Sequence, residues 1–491
     1  MEREICHSAR GALHPRRCLP RPDGAVREDA PRGQGRLHPL LGRRRGLLGR
    51  RNRRQPRYRP PAPSSRNPLR DGSPGELPRR GFLRSLAQRA PLQRTHLGRL
   101  QQRLRAGQRV RARLAVLVRD LPGFGSRRLN VRSGPAFIDG KASAEGTALR
   151  NAGYVVTLDP ATGAIASLRS ERLERETASA PLNQFLYLPG EDIKDLQKNR
   201  DVRIEVIEPG PLVATLRTTS AAPGAKSLQQ EVTLVAGLDH VDLRNTIDKL
   251  PVREKEGVHF AFPFAVPNGQ VRIDAPWALV RPEMDQIAGA NKNWFTTQGY
   301  VDVSNGQFGV TCASLDAPLI EVGAITANLV GSRWNPDEWR QEIEPTQTFY
   351  SWALNNHWHT NYRADQQGLL VFRYRLQVHA GFRSDAASRL AIGAQQPLLV
   401  TGDAFAPEGL VDVSDPSILV TRLVPSDDGK AIIVRLWGAT PVTKRVRLRW
   451  RSDLGTVTRT DLSQRPGVKS GETVEVPGWG VVTLRVERTP L

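Results

Sequence analysis

The chain has 491 residues and a formal net charge of +23, enough length for two to four domains with a sizeable core. Residues 1–125 hold 31 Arg, no Lys and 8 acidic residues, and the remainder carries 41 basic and 41 acidic side chains, so the whole excess sits in the first quarter. No run of about 18 apolar residues exists to span a membrane, Met1–Pro20 has no apolar stretch of a secretory signal, and three cysteines without metal spacing make neither a disulfide framework nor a zinc site.

Residues 1–117 are rich in Arg, Pro and Gly, with Arg43-Arg44-Arg45 as one of several basic runs. They offer too little apolar surface to offset chain entropy, so a disordered arm is expected. Within it, residues 81–118 scatter Leu and Arg at spacings that suit at best a marginal basic amphipathic helix. Three readings of the arm compete. Arg neutralises phosphate well, yet Tyr58 and Phe82 are the only aromatics before Phe124, which makes a nucleic-acid partner unlikely on composition. The arm can equally be a solvated tail. Arg without Lys, beside much Pro, Gly and Leu, is also what a GC-rich gene yields when translated in another frame.

From Asp120 the texture changes. Leu121-Pro-Gly-Phe-Gly125 reads as a loop and Arg128–Arg132 as a short strand within a linker, 118–153. From Tyr154 alternation takes over. Tyr154–Leu158 and Ala164–Leu168 form a predicted hairpin about Asp159-Pro-Ala-Thr-Gly163, where Pro160 presets φ and Gly163 permits a positive φ. Further strands are predicted over 202–209, 213–219, 229–236, 241–247, 257–265, 299–303, 308–314 and 371–379. No long segment shows a 3.6-residue period, so residues 154–385 are expected to form a large, extended antiparallel β-sandwich. After a break near 386–403, strands over 419–425, 431–437, 446–450, 473–476 and 480–486 predict a smaller terminal β-sandwich, 386–491. The fold class is all-β.

Several segments together carry a resemblance. Tyr154–Leu168, Val258-His-Phe-Ala-Phe-Pro-Phe264, Arg281-Pro-Glu-Met-Asp-Gln286, Lys292-Asn-Trp294, Val301-Asp-Val-Ser-Asn305, Leu315-Asp-Ala-Pro-Leu319, Ser351-Trp-Ala-Leu-Asn-Asn-His-Trp-His-Thr-Asn-Tyr362 and Pro477–Val486 occur in this order. The stretch 154–491 thereby resembles the C-terminal, all-β region of bacterial family 38 glycoside hydrolases, the α-mannosidases. The resemblance implies a galactose-mutarotase-like sandwich, mannose-containing glycan as substrate, and a zinc-dependent retaining glycosidase. The family's catalytic residues lie in an N-terminal α/β barrel whose motifs are not in this sequence. The resemblance therefore implies no catalytic residue, zinc ligand or cofactor here, and a barrel supplied elsewhere as partner. The one His-x-Asp, His240-Val-Asp242, falls in a predicted structural strand.

Candidate sugar contacts follow from chemistry. Residues Asn355, Asn356, His357, Trp358, His359, Asn361 and Tyr362 crowd amides and imidazoles around an indole, the mix that binds hydroxyls and the flat apolar face of a sugar. A domain-interface network is the alternative. If the segment is extended, His357 and His359 share one face. Glu283 and Asp285 could touch hydroxyls or be spent in a loop's own hydrogen bonds. Trp334 and Trp339, in the turn-rich Trp334-Asn-Pro-Asp-Glu-Trp339, are the best stacking candidates, with Trp277 and Trp294 behind them.

Overall fold

The structure is a computed structural model that describes residues 96–100, 114–130, 140–326, 339–357, 363–400 and 408–488. The disorder expected for 1–117 lies outside the described residues, apart from two short segments. His96–Leu100 pairs antiparallel with Leu114–Val118, so these two parts of the predicted helix are strands instead. A mixture of Leu, Val and Ala in Leu114–Val118 suits a strand as well as a helix, and short apolar runs do not separate the two by period.

The hairpin of Tyr154–Leu158 and Ile165–Ser170 forms as the turn chemistry dictates. The Asp159 carboxylate accepts from the Ala161 N–H at 2.9 Å and the Thr162 hydroxyl at 2.6 Å. Gly163 sits at φ +71°, and a Cβ there would lie 2.2 Å from Thr218 Cγ2. Arg128–Asn130 are not in a strand, contrary to expectation, and residues 131–139 lie outside the described residues.

Two sheets build the large sandwich. The nine-stranded sheet runs Arg200–Pro209, Val213–Ala221, Ala225–Val235, Val241–Lys249, Gly368–His379, Gly309–Ser314, Tyr300–Ser304, Gln270–Ala275, Ala278–Val280. The six-stranded sheet runs Phe295–Thr296, Leu319–Val322, Thr348–Asn355, Glu256–Pro263, Gln184–Pro189, Gln197–Lys198. Between them Phe260 meets Tyr374 edge-on at 5.9 Å and Phe262 stacks on Phe349 at 5.1 Å, all buried. Aromatic pairs of this kind add about 0.5–1.5 kcal/mol beyond their buried area. Asn183 and Asn245 exchange two amide hydrogen bonds of 2.8 Å inside the same core, which ties the turn before Gln184–Pro189 to strand Val241–Lys249 with both amides paired.

The smaller sandwich pairs a four-stranded sheet, Ile418–Pro425, Ala431–Gly438, Val481–Arg488 and Leu454–Thr460, with a three-stranded one, Val411–Val413, Lys444–Trp450 and Thr473–Val476. Its own core holds Val434, Leu436, Val446, Val476, Leu484 and Val486. Ser384–Gln395 is an α-helix that the periodicity did not predict. Its buried positions are Ser384, Asp385, Ala387, Ser388, Ala391 and Ala394, so no large apolar stripe marks it. The helix joins the two sandwiches: Ala387 and Ala391 pack with Tyr300 and Ala313, while the Ser384 hydroxyl donates to the Ala439 carbonyl at 2.8 Å. Among the described residues no helix is long and apolar enough to cross a membrane.

Candidate functional site

Strand Glu256–Pro263 lies inside the six-stranded sheet. Alternation sends Val258, Phe260 and Phe262 into the core and turns Gly257, His259 and Ala261 to the other face. Both faces are buried along seven consecutive residues, Glu256–Phe262. The second face carries polar and aromatic groups. A β-bulge helps to build it: Val258 pairs with Leu354 and His259 with Trp352, leaving Ala353 as the extra residue. Bulges re-aim neighbouring side chains. Here the indole of Trp352 stacks on the imidazole of His259, with ring centres 5.8 Å apart and planes 6° apart.

His259 Nε2 lies 2.7 Å from Glu321 Oε2, with both side chains buried. The other Glu321 oxygen accepts from the Thr326 N–H at 2.7 Å. His357 approaches Trp352 from beyond the strand end, at 6.1 Å and 44°. It is fully buried, and among the described residues neither of its ring nitrogens has a hydrogen-bond partner. Burial first, then the nearby His259 and Lys255, pushes its pKa down to about 4. At neutral pH it is an uncharged ring with one donor and one acceptor unspent. Gly257 makes room for this group. A Cβ there would lie 2.7 Å from His357 Nε2, 3.1 Å from His259 Cε1 and 3.3 Å from Trp352 Nε1.

A buried ion pair closes the rim. Lys249 Nζ sits 2.7 Å and 2.9 Å from the two Glu256 oxygens and donates to the Leu250 carbonyl at 2.9 Å. Burial, then the Glu256 charge, raises the pKa of the adjoining Tyr187 phenol.

The predicted site residues fall into three groups. Asn355, Asn356 and His357 come together. The Asn355 side chain accepts from the His357 N–H at 3.0 Å, and Asn356 Nδ2 donates to the carbonyls of Val252, Glu254 and Ala364 at 3.1, 3.2 and 2.8 Å. Asn356 thus pins the loop 250–255 with its amide hydrogens. Strand Thr348–Asn355 ends before His357. Trp334, Trp358, His359, Asn361 and Tyr362 lie outside the described residues, so the shared face of His357 and His359 does too.

Glu283 and Asp285 lie in a loop and each has partners within it or the adjoining segment. Glu283 accepts from the Ile343 N–H at 3.0 Å and Lys292 Nζ at 2.8 Å, while Asp285 forms a two-pronged pair with Arg281 at 2.9 and 2.7 Å. Trp339, half-buried, adjoins this loop through the bond from Lys292 to the Gln341 carbonyl, 2.6 Å. The loop connects to the buried face: Asn293 accepts from the Arg340 N–H at 3.0 Å and donates to the Thr326 carbonyl at 3.2 Å. Trp277 tips the hairpin before Ala278–Val280, and Trp294 is half-buried. Sequence reasoning did not single out His259, Glu321, Trp352, Gly257, Lys249 or Glu256. The available signal was a carboxylate inside the apolar run Leu319–Val322 and a histidine inside Val258–Phe264.

Zinc, which the resemblance implies for the whole enzyme, does not fit His240 and Asp242. The Asp242 carboxylate is held by Arg375 at 2.6 and 3.1 Å, and that guanidinium opposes a dication. Burial raises the Asp242 pKa, but the Arg375 charge outweighs it and holds the group well below its usual range. Among the described residues no group of three or more His, Cys, Asp or Glu is placed to hold a metal ion.

Comparison with known proteins shows what this region is similar to. Residues 149–317 match the model of the glycosyl hydrolases family 38 C-terminal domain. Over that span, about a third of the chain, the sequence is similar to a family 38 C-terminal domain. The fold agrees: the chain is similar to an alpha-mannosidase from Enterococcus faecalis V583 at TM-score 0.54 and 15% identity, over 71% of this chain and 43% of that one. It is similar to a protein in the glycosyl hydrolase family 38 from Enterococcus faecalis at TM-score 0.56 and 14% identity, over 72% of this chain and 46% of that one. The chain thus spans less than half the length of either structure. A galactose mutarotase-like protein from Lactobacillus casei ATCC 334 aligns at TM-score 0.31 and 11% identity, over 47% of this chain and 99% of that one. No curated protein matches the sequence.

Proposed function

We propose that the chain serves a family 38 α-mannosidase-type glycoside hydrolase acting on mannose-containing glycan, as a β region that buttresses a catalytic barrel and adds sugar contacts. The family match and the fold support the first part. The observation that carries the second is His357. A fully buried imidazole with two unspent nitrogens, beside an indole and a stacked imidazole, is costly unless something uses it. A sugar hydroxyl is a partner of the right chemistry, provided that the residues covering the ring in this structure move to admit it. The His259–Glu321 pair then acts as a positioning device, since it holds the imidazole on which Trp352 stacks.

Retaining glycosidases place two carboxylates about 5 Å apart across the scissile bond. Glu283 and Asp285 are instead tied separately to Lys292 and Arg281. The barrel that supplies this chemistry, with its zinc, belongs either to the same protein or to a separately encoded partner, and the chain by itself is inactive. Calorimetric titration with a mannose oligosaccharide tests the contact: the wild type gives a heat of binding that His357→Ala abolishes, and equal heats from both proteins overturn the assignment. Zinc-dependent release of nitrophenol from an aryl α-mannoside by the purified chain overturns the inactivity.

The second reading is a stand-alone carbohydrate-binding protein, favoured by the same histidine. It predicts the same heat with no partner recovered on co-purification from source cells.

A further inference from the structure

Where the edge of the six-stranded sheet passes into the edge of the nine-stranded one, a cleft of about 480 Å³ is lined by Gln197, Lys198, Arg200 and Lys226 above the turn Ala221–Ala225. Its construction is specific. Asn199 is buried between Lys198 and Arg200, donating to the Thr162 carbonyl at 2.8 Å and the Ser220 hydroxyl at 3.1 Å and accepting from Gln184 at 3.1 Å. With Asn199 anchored inward, the alternation of an extended chain turns its two cationic neighbours outward. Register shifts flank the cleft on both sides. One follows Arg200, with Asp201 at φ +57°; the other leaves Lys226 unpaired between Ala225 and Ser227. The floor is fixed by Gly224 at φ +70°, where a Cβ would lie 2.4 Å from Tyr187 Cε2.

Three cations from three strands therefore line one cleft. Their carboxylate neighbours hold them weakly: Arg200–Asp201 is an exposed pair at 3.1 Å, and Lys226–Asp248 stands at 3.9 Å. Among the described residues Lys198 has no carboxylate within ion-pair distance. We propose that this cleft binds a phosphate or sulfate ester borne on a sugar, the oxyanion taken by Lys198, Arg200 and Lys226 and the sugar lying against the apolar turn. Arg offers two parallel donors to a tetrahedral oxyanion and Lys a mobile point charge. The anion part stands on the cleft alone, whereas the sugar part rests on the function proposed above.

Calorimetric titration of the full chain with mannose 6-phosphate, mannose and inorganic phosphate tests this. The expected result is binding of mannose 6-phosphate that weakens as salt rises from about 0.05 M to about 0.5 M. Lys198→Ala/Arg200→Ala/Lys226→Ala should weaken it at least about tenfold with an unchanged melting temperature. Excess free mannose should not displace the salt-sensitive binding, which separates this cleft from the buried face. Absence of binding, or equal affinity in the triple variant, overturns the proposal. Inorganic phosphate binding as tightly as the sugar ester overturns the sugar part. Binding of mannose 6-phosphate by a chain that takes up no mannose oligosaccharide upholds the cleft and removes the function on which the sugar part rests.

Discussion

The two sandwiches use their sheets differently. In the smaller one, Lys444–Trp450 buries Val446 and Leu448 and exposes Arg445, Arg447 and Arg449, the alternation of a sheet with one face in a core and one in water. In the larger one, Glu256–Pro263 is buried on both faces, and the second face sets His259, Trp352, Glu321 and His357 beside the aliphatic Leu186, Leu188 and Ile325. A sheet that only has to fold needs no such polar groups. Buried polar groups cost free energy unless paired, and among the described residues His357 has no partner for either nitrogen. The contrast separates a module built for stability from one whose outer layer is arranged for a task.

The largest test of the contrast removes Glu321. Glu321→Ala orphans the buried His259, at about 1–3 kcal/mol, and the part-buried Thr326 N–H, at less, so a loss of roughly 2–4 kcal/mol is expected in chemical denaturation. Arg447→Ala, on the exposed face of the smaller sandwich, should stay within about 0.5 kcal/mol. Similar losses at the two positions would erase the distinction.

The next effect is in pH. His357 keeps a pKa near 4 in the fold against an ordinary 6.5. Between these values the unfolded chain takes up a proton that the folded one refuses, so stability falls as pH drops through the window, by up to about 3 kcal/mol. Asp274 has the opposite sign. Burial lifts its carboxyl to about 7 from 3.8, so the folded chain holds a proton that the unfolded one has released, and stability falls as pH rises through that range. The two windows overlap, so in the wild type the opposed slopes largely cancel between them. His357→Gln should unmask the loss of stability with rising pH and Asp274→Asn the loss with falling pH, the latter stabilising the protein at pH above 7 by about 2–4 kcal/mol. A slope that survives the substitution of its group belongs to another group.

A smaller change tests the fit around the histidine. Gly257→Ala places a methyl 2.7 Å from His357 Nε2 at a backbone position of ordinary φ, so crowding alone is tested. The expected cost is about 1–3 kcal/mol. In Gly257→Ala/His357→Ala the methyl no longer meets the ring, and most of that cost should vanish from the double-mutant cycle. Strict additivity would place the two residues apart.

How much of this was legible in the sequence follows the same division. Tyr154–Leu158 and Val241–Lys249 alternate because one face of each is less buried, and their turns carry Pro, Asp and Gly at positions that demand them. Gln184–Pro189 is buried at five successive residues and shows no alternation to read. The helix Ser384–Gln395 stayed hidden because it packs with Ala and Ser. The site behaves likewise. The density of amides and imidazoles at 355–357 is a local signal and was visible. His259 and Glu321 stand 62 residues apart and meet through sheet order, which no local pattern encodes. The cleft of Lys198, Arg200 and Lys226 depends on two register shifts and was invisible for the same reason.

The gentlest probe asks whether the two sandwiches, so differently built, are energetically one body. Trp277, at φ +60° on the tip of a large-sandwich hairpin and 40% exposed, meets Trp437 of the smaller sandwich edge-on at 5.5 Å, and Trp479 lies 6.1 Å beyond. An edge-to-face pair couples by about 0.5–1.5 kcal/mol. A double-mutant cycle over Trp277→Ala and Trp437→Leu should return a coupling in that range, with a single unfolding transition in the wild type. If the coupling is near zero and calorimetry resolves two transitions, the smaller sandwich unfolds independently. The helix Ser384–Gln395 would then be the hinge between them, because its Ser384 bond to Ala439 and its Ala391 contact with Tyr300 are the other ties across that boundary described above.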